Sequence, residues 1–463
     1  MKKTFAIFAL CLLVLAVGVV AVVTHLHDDR NNIVVIAHDR TGDRSAAEGF
    51  TAQQSVRRGG HLLWDLNIDL GDPKATQTEF TYVKKDMGLP DQSMSDAISI
   101  MPPTSWASVA DLDHLPAHFE AMARDVGWRT PQGESRTETV LLSDYWDCYP
   151  LSVNLVTDDT SVTEEDYARD AAFTDFFRFP VLPGDTLEIT VDPSPNAMWQ
   201  FSAQPDSTGM AFYVNSVLAD ETIFFSFRPG AWPFPSFENV PGGYGLYRLD
   251  LTDGREDLES LACAYPLPEG TFILDLALTP DGSRLVMTTG SALGYGCTVL
   301  DPETLEEVQT FDLPMDPPVI TTTYTLDKEG NRSSYPYYAF DVYGSVMGED
   351  TFLLLSKDHI HLYLWQDGAY VHQFSASAKD YDLQTIRPGY ECLWNGETLA
   401  IACTYDQPGL SLWVLDDQGN LLYRGDYETS LEEDVEAAPE DMEYWENSLY
   451  LVEGAELTLG WSE

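Results

Sequence analysis

Residues 271–314 read TFILDLALTPDGSRLVMTTGSALGYGCTVLDPETLEEVQTFDLP, and the spacing of their turns decides the fold class. Residues 272–278 are a run of strand formers closed by Thr279-Pro280-Asp281-Gly282. Three more runs follow at 285–289, 297–300 and 308–313. Pro and Gly supply the turn torsions, and β-branched and large apolar residues fill the strands between them. Four such strands make an antiparallel meander with two faces that it cannot bury alone. Neighbours of the same kind are therefore expected.

The same rhythm runs through the C-terminal half. One series of turns falls at Thr252-Asp253-Gly254, Asp301-Pro302-Glu303, Gln366-Asp367-Gly368 and Asp416-Asp417-Gln418-Gly419. A second falls at Asp281-Gly282, Gly348-Glu349-Asp350, Asn395-Gly396 and Glu446-Asn447. Both recur at about 50 to 65 residues, the longer intervals absorbing an insertion near 321–334, and a period of about 40 to 50 with four strands per unit is what a propeller blade requires. The segment LTPDGSRLVMTT followed by CTVLDPETLEEVQTFDL, and the parallel GETLAIACTYDQPGLSLWVLDDQGNLLYRG, resemble the broad β-propeller superfamily of WD-repeat, YVTN-type and TolB-like proteins. The resemblance covers 205–463 well and 60–200 loosely, and the WD dipeptide and its upstream Gly-His are absent. It implies a fold and a tendency to bind partners, not an activity.

The reading is therefore all-β: a single propeller of about seven four-stranded blades, within a range of about six to eight, over 33–463. Earlier strands are expected at 33–37, 61–70, 76–84, 137–142, 151–156, 173–182 and 186–191, with 158–170 as loop or short helix. In 61–70, Leu62, Trp64, Leu66, Ile68 and Leu70 alternate with polar positions, so they share one face. Residues 88–134 read as a small helical insertion, its helix starting near Pro116 and ending by Gly127. The last unit, 443–461, has room for about three strands, so 33–37 or 61–70 is expected to complete it.

Hydrophobic residues make up 44% and aromatics 12% of the 463 residues, enough to exclude disorder for most of the chain. Asp and Glu number 75 against 25 Lys and Arg, a formal net charge of −50. Such a surface repels phosphate backbones and anionic headgroups, which argues against nucleic acid as a partner. The acids are scattered rather than spaced as ligands, as on the solvated face of an exported protein.

At the N-terminus, Lys2 and Lys3 precede an apolar run over 5–23. About 19 to 20 such residues match a bilayer core, and positive charge stays inside. Residues 1–24 are expected to be an uncleaved membrane anchor and 25–32 a tether, with the N-terminus cytoplasmic and the bulk extracytoplasmic. A signal peptide cleaved after Val19-Val20-Ala21 is the rival. Cys11 is a poor lipoprotein match, because Leu10 fills the small-residue position. The other cysteines, Cys148, Cys263, Cys297, Cys392 and Cys403, are odd in number, so at least one stays unpaired. A two-residue turn at Asn395-Gly396 would put Cys392 opposite Leu399 rather than Cys403; Cys263 with Cys297 is the pair left open.

No constellation commits the chain to chemistry. Asp65, Asn67, Asp69 and Asp72 imitate a calcium loop, but Leu70 stands where that loop needs Gly. His114 and His118 are separated by Pro116, and His359 and His361 alternate on one strand face, more often a surface pair than a metal site. The sequence contains no GxSxG elbow, Walker loop, dinucleotide-binding glycine motif or CxxC. The reading assigns no catalytic residue, cofactor or metal ligand. The least ordinary feature is aromatic: Phe224, Phe225, Phe227, Trp232, Phe234 and Phe237 cluster around Arg228-Pro229-Gly230. They are either packing over one end of the fold or a recognition loop for a protein or glycan at the rim, where Tyr145-Trp146 and Tyr444-Trp445 would join them. The function expected is a non-catalytic binding or sensory ectodomain. The alternative is a propeller hydrolase or lyase acting on carbohydrate or peptide through acids in a central channel.

Overall fold

The computed structural model describes residues 30–58, 62–82, 97–101, 106–109, 117–131, 133–155, 164–182, 184–193, 199–205, 212–229, 234–252, 255–326, 332–381, 383, 390–404, 409–431 and 452–462. The expected anchor, 1–24, lies outside them, and among the described residues no helix is long and apolar enough to cross a membrane. The chain divides into two compact units, the first made of 1–93, 346–353 and 359–463, the second of 94–345 and 354–358.

The chain opens with β1 (Val35–Gly42), β2 (Phe50–Arg58), β3 (Leu62–Asp69) and β4 (Gln77–Tyr82). Then come β5 (Ile98–Met101), β6 (Trp106–Val109), helix α1 (Ala117–Arg129), β7 (Arg136–Leu141) and β8 (Ser152–Leu155). Helix α2 (Glu164–Phe177), β9 (Thr186–Pro193) and β10 (Trp199–Pro205) follow. The regular part begins with β11 (Phe212–Ala219), β12 (Thr222–Pro229), β13 (Gly245–Thr252) and β14 (Arg255–Pro266). Next are β15 (Thr271–Leu278), β16 (Leu285–Ser291), β17 (Gly294–Leu300) and β18 (Glu307–Asp312), then the hairpin β19 (Val319–Leu326) and β20 (Arg332–Ala339). The chain continues through β21 (Val342–Met347), β22 (Thr351–Ser356), β23 (His359–Gln366) and β24 (Ala369–Ser377). It ends with β25 (Tyr390–Trp394), β26 (Leu399–Cys403), β27 (Gly409–Leu415), β28 (Leu421–Thr429) and β29 (Val452–Trp461).

Three sheets, β11–β14, β15–β18 and β21–β24, are four-stranded with their strands in sequence order, and β25–β28 is the same meander with β1 added beyond β28. The quoted stretch forms β15–β18 as its turns require. Gly282 takes a φ of +69°, and Asp281 accepts hydrogen bonds from the Ser283 N–H and hydroxyl. Bonds from Thr279 and Ser283 hold the Asp281 carboxyl down at about 2. Asp301 and Asp416 brace later turns in the same way, each accepting two backbone N–H groups.

In the first unit the chain ends meet. β29 pairs with β2, in the sheet order β29-β2-β3-β4, and β1 pairs with β28. The two segments expected to complete the last sheet therefore both join sheets that hold C-terminal strands, but the direct partner of β29 is β2. The sequence hides that strand, because Gln53, Gln54 and Ser55 interrupt its apolar pattern; Gln54 is nevertheless buried, donating to the Gly409 carbonyl. Trp64, Leu66, Ile68 and Leu70 form the buried face expected of them.

The second unit departs more from expectation. Residues 173–177, expected as strand, finish helix α2, and Phe173 and Phe177 are one turn apart on its buried face. The expected insertion contributes to sheets: β5 pairs with β8, and β6 is the edge of the sheet β6-β10-β9-β7. Helix α1 runs two residues past Gly127 to Arg129. In the first unit, the hairpin after β25 has a longer connection than a two-residue turn, so Cys392 stands opposite Ile401. None of the five described cysteines is disulfide-bonded, which leaves Cys263 and Cys297 as separate thiols.

Candidate functional site

The site is built on the register of β11 with β12 in the second unit, where Tyr213 lies opposite Arg228, Val214 opposite Phe227 and Asn215 opposite Ser226. Alternation sends Phe225 and Phe227 to one face and Phe224, Ser226 and Arg228 to the other. On the first face Phe177 packs edge-on against Phe227 at 4.9 Å, and Phe173 lies 6.0 Å from Phe225. Phe224 joins a different cluster, with Leu246 and Ile273.

The loop leading into β13 returns an aromatic clasp. The Tyr244 hydroxyl donates to the Phe227 carbonyl at 2.7 Å and accepts the Ile273 N–H at 2.8 Å, tying β12 to β15. Burial pushes that phenol well above its ordinary value, so it stays a neutral donor. From Tyr244 a chain of rings runs outward through half-buried Phe234, Phe272, Tyr338 and Phe340. Phe272 lies 5.4 Å from Phe234 and 5.2 Å from Tyr338, and Tyr338 stacks on Phe340 at 5.6 Å with planes 7° apart.

Arg228 follows Phe227, whose carbonyl accepts from Tyr244. Its guanidinium donates to the carbonyls of Val342 and Tyr343, just after Phe340 in the chain. Burial lowers its pKa, opposed by the charge of Asp275 and by the Tyr213 phenol. Asp275 accepts a hydrogen bond from Ser345 Oγ. The buried amide nitrogen of Asn215, two positions from Tyr213 on the same strand face, has no hydrogen-bond partner.

Of the aromatic residues singled out by sequence, Phe224, Phe225, Phe227 and Phe237 are buried, so these four are core and not a presented loop. Only Phe234 is half-buried, and Trp232 lies outside the described residues. Trp146 is buried against Phe119, and the Tyr145 hydroxyl donates to Asp125; Tyr444 and Trp445 lie outside the described residues. Sequence reasoning missed Tyr244, Phe272, Tyr338, Phe340 and the isolation of Arg228. No local pattern joins them, since Arg228 meets its carbonyl partners more than 100 positions away.

His359 and His361, in the first unit, do share a face of β23, with ring centres 6.0 Å apart, and His372 lies 6.5 Å from His361. His361 Nδ1 is 2.8 Å from Ser375 Oγ, while its buried Nε2 has no partner. His114 lies outside the described residues. Asp69 caps the Gly71 and Asp72 N–H groups and Asp65 accepts from Ser55, as a strand and its turn require. Among the described residues no three His, Cys, Asp or Glu side chains are placed to hold a metal ion.

No protein-family model matches the sequence, and no curated protein matches it either. Among solved structures the chain is similar to a Pseudomonas aeruginosa periplasmic gluconolactonase, at 9% identity over 81% of this chain and 82% of that one, TM-score 0.26. It is also similar to the β-propeller domain of Myceliophteria thermophila Cps50 (Swd1), at 11% identity over 53% of this chain and 85% of that one, TM-score 0.22. A third is Kluyveromyces lactis Hsv2, at 12% identity over 54% of this chain and 70% of that one, TM-score 0.25. Likenesses this distant assign no chemistry to the chain.

Proposed function

We propose that the protein is a membrane-anchored, extracytoplasmic β-propeller of about seven blades that acts as a binding ectodomain. The lysine-flanked apolar run near the N-terminus supports the anchor, and the serial four-stranded meanders support the propeller. The binding face is the end of the second unit where half-buried Phe272, Tyr338 and Phe340 gather beside Arg228. The observation that carries this reading is the ring chain: stacked aromatics left half open offer a ligand apolar area without a change of fold.

The test is a thermal-shift screen of the full chain against small saccharides, amino acids and organic acids, repeated with Phe272→Ala. Compounds that raise the melting temperature of the wild type should lose their effect in the variant; equal shifts in both would sink the proposed face. The hydrolase alternative has Asp275 in its favour, a carboxylate near Arg228 and the Tyr213 phenol. Turnover of a bound ester, abolished by Asp275→Asn, would move the protein to that class. For the anchor, carbonate washing of membranes should leave the chain in the pellet, whereas release into the supernatant would mean a cleaved leader.

A further inference from the structure

We infer that this face recognises a small monocarboxylate carried on a ring-bearing body, an inference that rests on the binding reading above. The argument starts from charge. In a chain with 75 acids and 25 basic residues, a cation ordinarily finds a carboxylate, and Arg40, Arg44, Arg169 and Arg248 each do so. Arg228 does not. Among the described residues no carboxylate oxygen lies within 4.0 Å of it, and the bonds it makes go to two neutral carbonyls, of Val342 and Tyr343. Removing a guanidinium from water is costly unless an anion replaces the lost hydration, and carbonyl dipoles do so only in part.

The surrounding groups offer donors. The Asn215 amide nitrogen is buried without a partner, and the Tyr213 phenol, on the same strand face and opposite Arg228, is 66% exposed. Guanidinium, amide and phenol carry N–H and O–H donors on one face of the β11–β12 pair, donors of the kind a carboxylate accepts. Asp275, whose charge acts on Arg228, accepts a hydrogen bond from Ser345 Oγ.

Size and charge follow from the rest of the molecule. A net charge of −50 repels a polyanion more strongly than a small monoanion, because the repulsion grows with the charge of the ligand while the screening length is the same for both. The half-buried rings of Phe272, Tyr338 and Phe340 accept a flat or apolar body beside the charged head.

The probes are phenylacetate, its neutral isostere phenylacetamide, the cation phenethylamine and inorganic phosphate. Each is titrated into the full-length protein by calorimetry at fixed salt. Phenylacetate should bind at least tenfold tighter than phenylacetamide, and phosphate and phenethylamine should bind more weakly still. Arg228→Gln should erase the advantage of the acid over the amide, and Arg228→Lys should retain part of it. Phe272→Ala should weaken acid and amide alike. Equal affinity for acid and amide, both lost in Phe272→Ala, would overturn the anion inference and leave the binding face standing. Preference for phenethylamine, or phosphate binding as well as the acid, would also overturn it. No binding by either phenyl compound would remove the face itself. The wild-type contrast between acid and amide needs no variant, so misfolding of Arg228→Gln would not spare the proposal.

Discussion

Arg169 and Arg228 are both arginines drawn into the second unit, and they are treated in opposite ways. Arg169, 2% exposed on α2, donates to Asp166 at 2.7 Å, to Glu256 at 3.3 Å and twice to the Val153 carbonyl. Every part of its guanidinium is answered, so it fastens α2 to β8 and β14. Among the described residues, Arg228 donates to two carbonyls of β21. A protein can hold a cation out of water by supplying the counter-charge itself, as around Arg169, or by leaving that place to a ligand, as proposed for Arg228.

The strongest way to break the contrast is Arg169→Leu. It strands Asp166, Glu256 and a carbonyl, and should lower stability by about 3 kcal/mol in urea unfolding; a loss no larger than that of Arg228→Gln would make the two arginines equivalent. Two further ionisable groups sharpen the point, since both are buried without a charge partner. Neutral His361 is held down to about 4 by burial and by the nearby His359 and His372. A folded pKa below the unfolded value of about 6.5 means its contribution is intact above that pH and disappears as pH falls toward 4. Acid unfolding should be shallower in His361→Gln by about 2 kcal/mol over that window.

Asp185 has the opposite sign. Burial raises its carboxyl to about 7, and its Oδ2 has no partner. The protonated form is favoured in the fold, so the contribution of Asp185 is largest at low pH and declines as pH rises from about 3.9 to 7. After allowance for screening, Asp185→Asn should stabilise by about 1 to 2 kcal/mol at pH 8 and change little at pH 4 in thermal melts at the two pH values. Smallest is Arg228→Gln without ligand, which should cost about 1 kcal/mol or less, because it removes bonds to carbonyls that glutamine partly replaces.

The contrast also marks how far the sequence was legible. The strands of 271–314 could be read because their turns are written in adjacent residues, Pro280-Asp281-Gly282 and Asp301-Pro302-Glu303. The end of helix α2 is hidden in the sequence, because Phe173, Phe176 and Phe177 imitate a strand and aromatic residues favour either setting once buried. β2 is hidden because Gln54 breaks its apolar pattern, and the carbonyl that accepts from its buried amide nitrogen is 355 residues away. Arg228 was visible only as the neighbour of a proline. Its lack of a carboxylate is a property of what the fold brings near it, and periodicity carries no trace of that.

The most direct measurement is the arginine Nε–Hε NMR spectrum of the full chain, with the Arg228 and Arg169 signals identified by their disappearance in Arg228→Gln and Arg169→Leu. Added phenylacetate should shift the Arg228 signal in a saturable way and leave that of Arg169 in place. An unmoved Arg228 signal, or equal shifts at both arginines, would contradict the account.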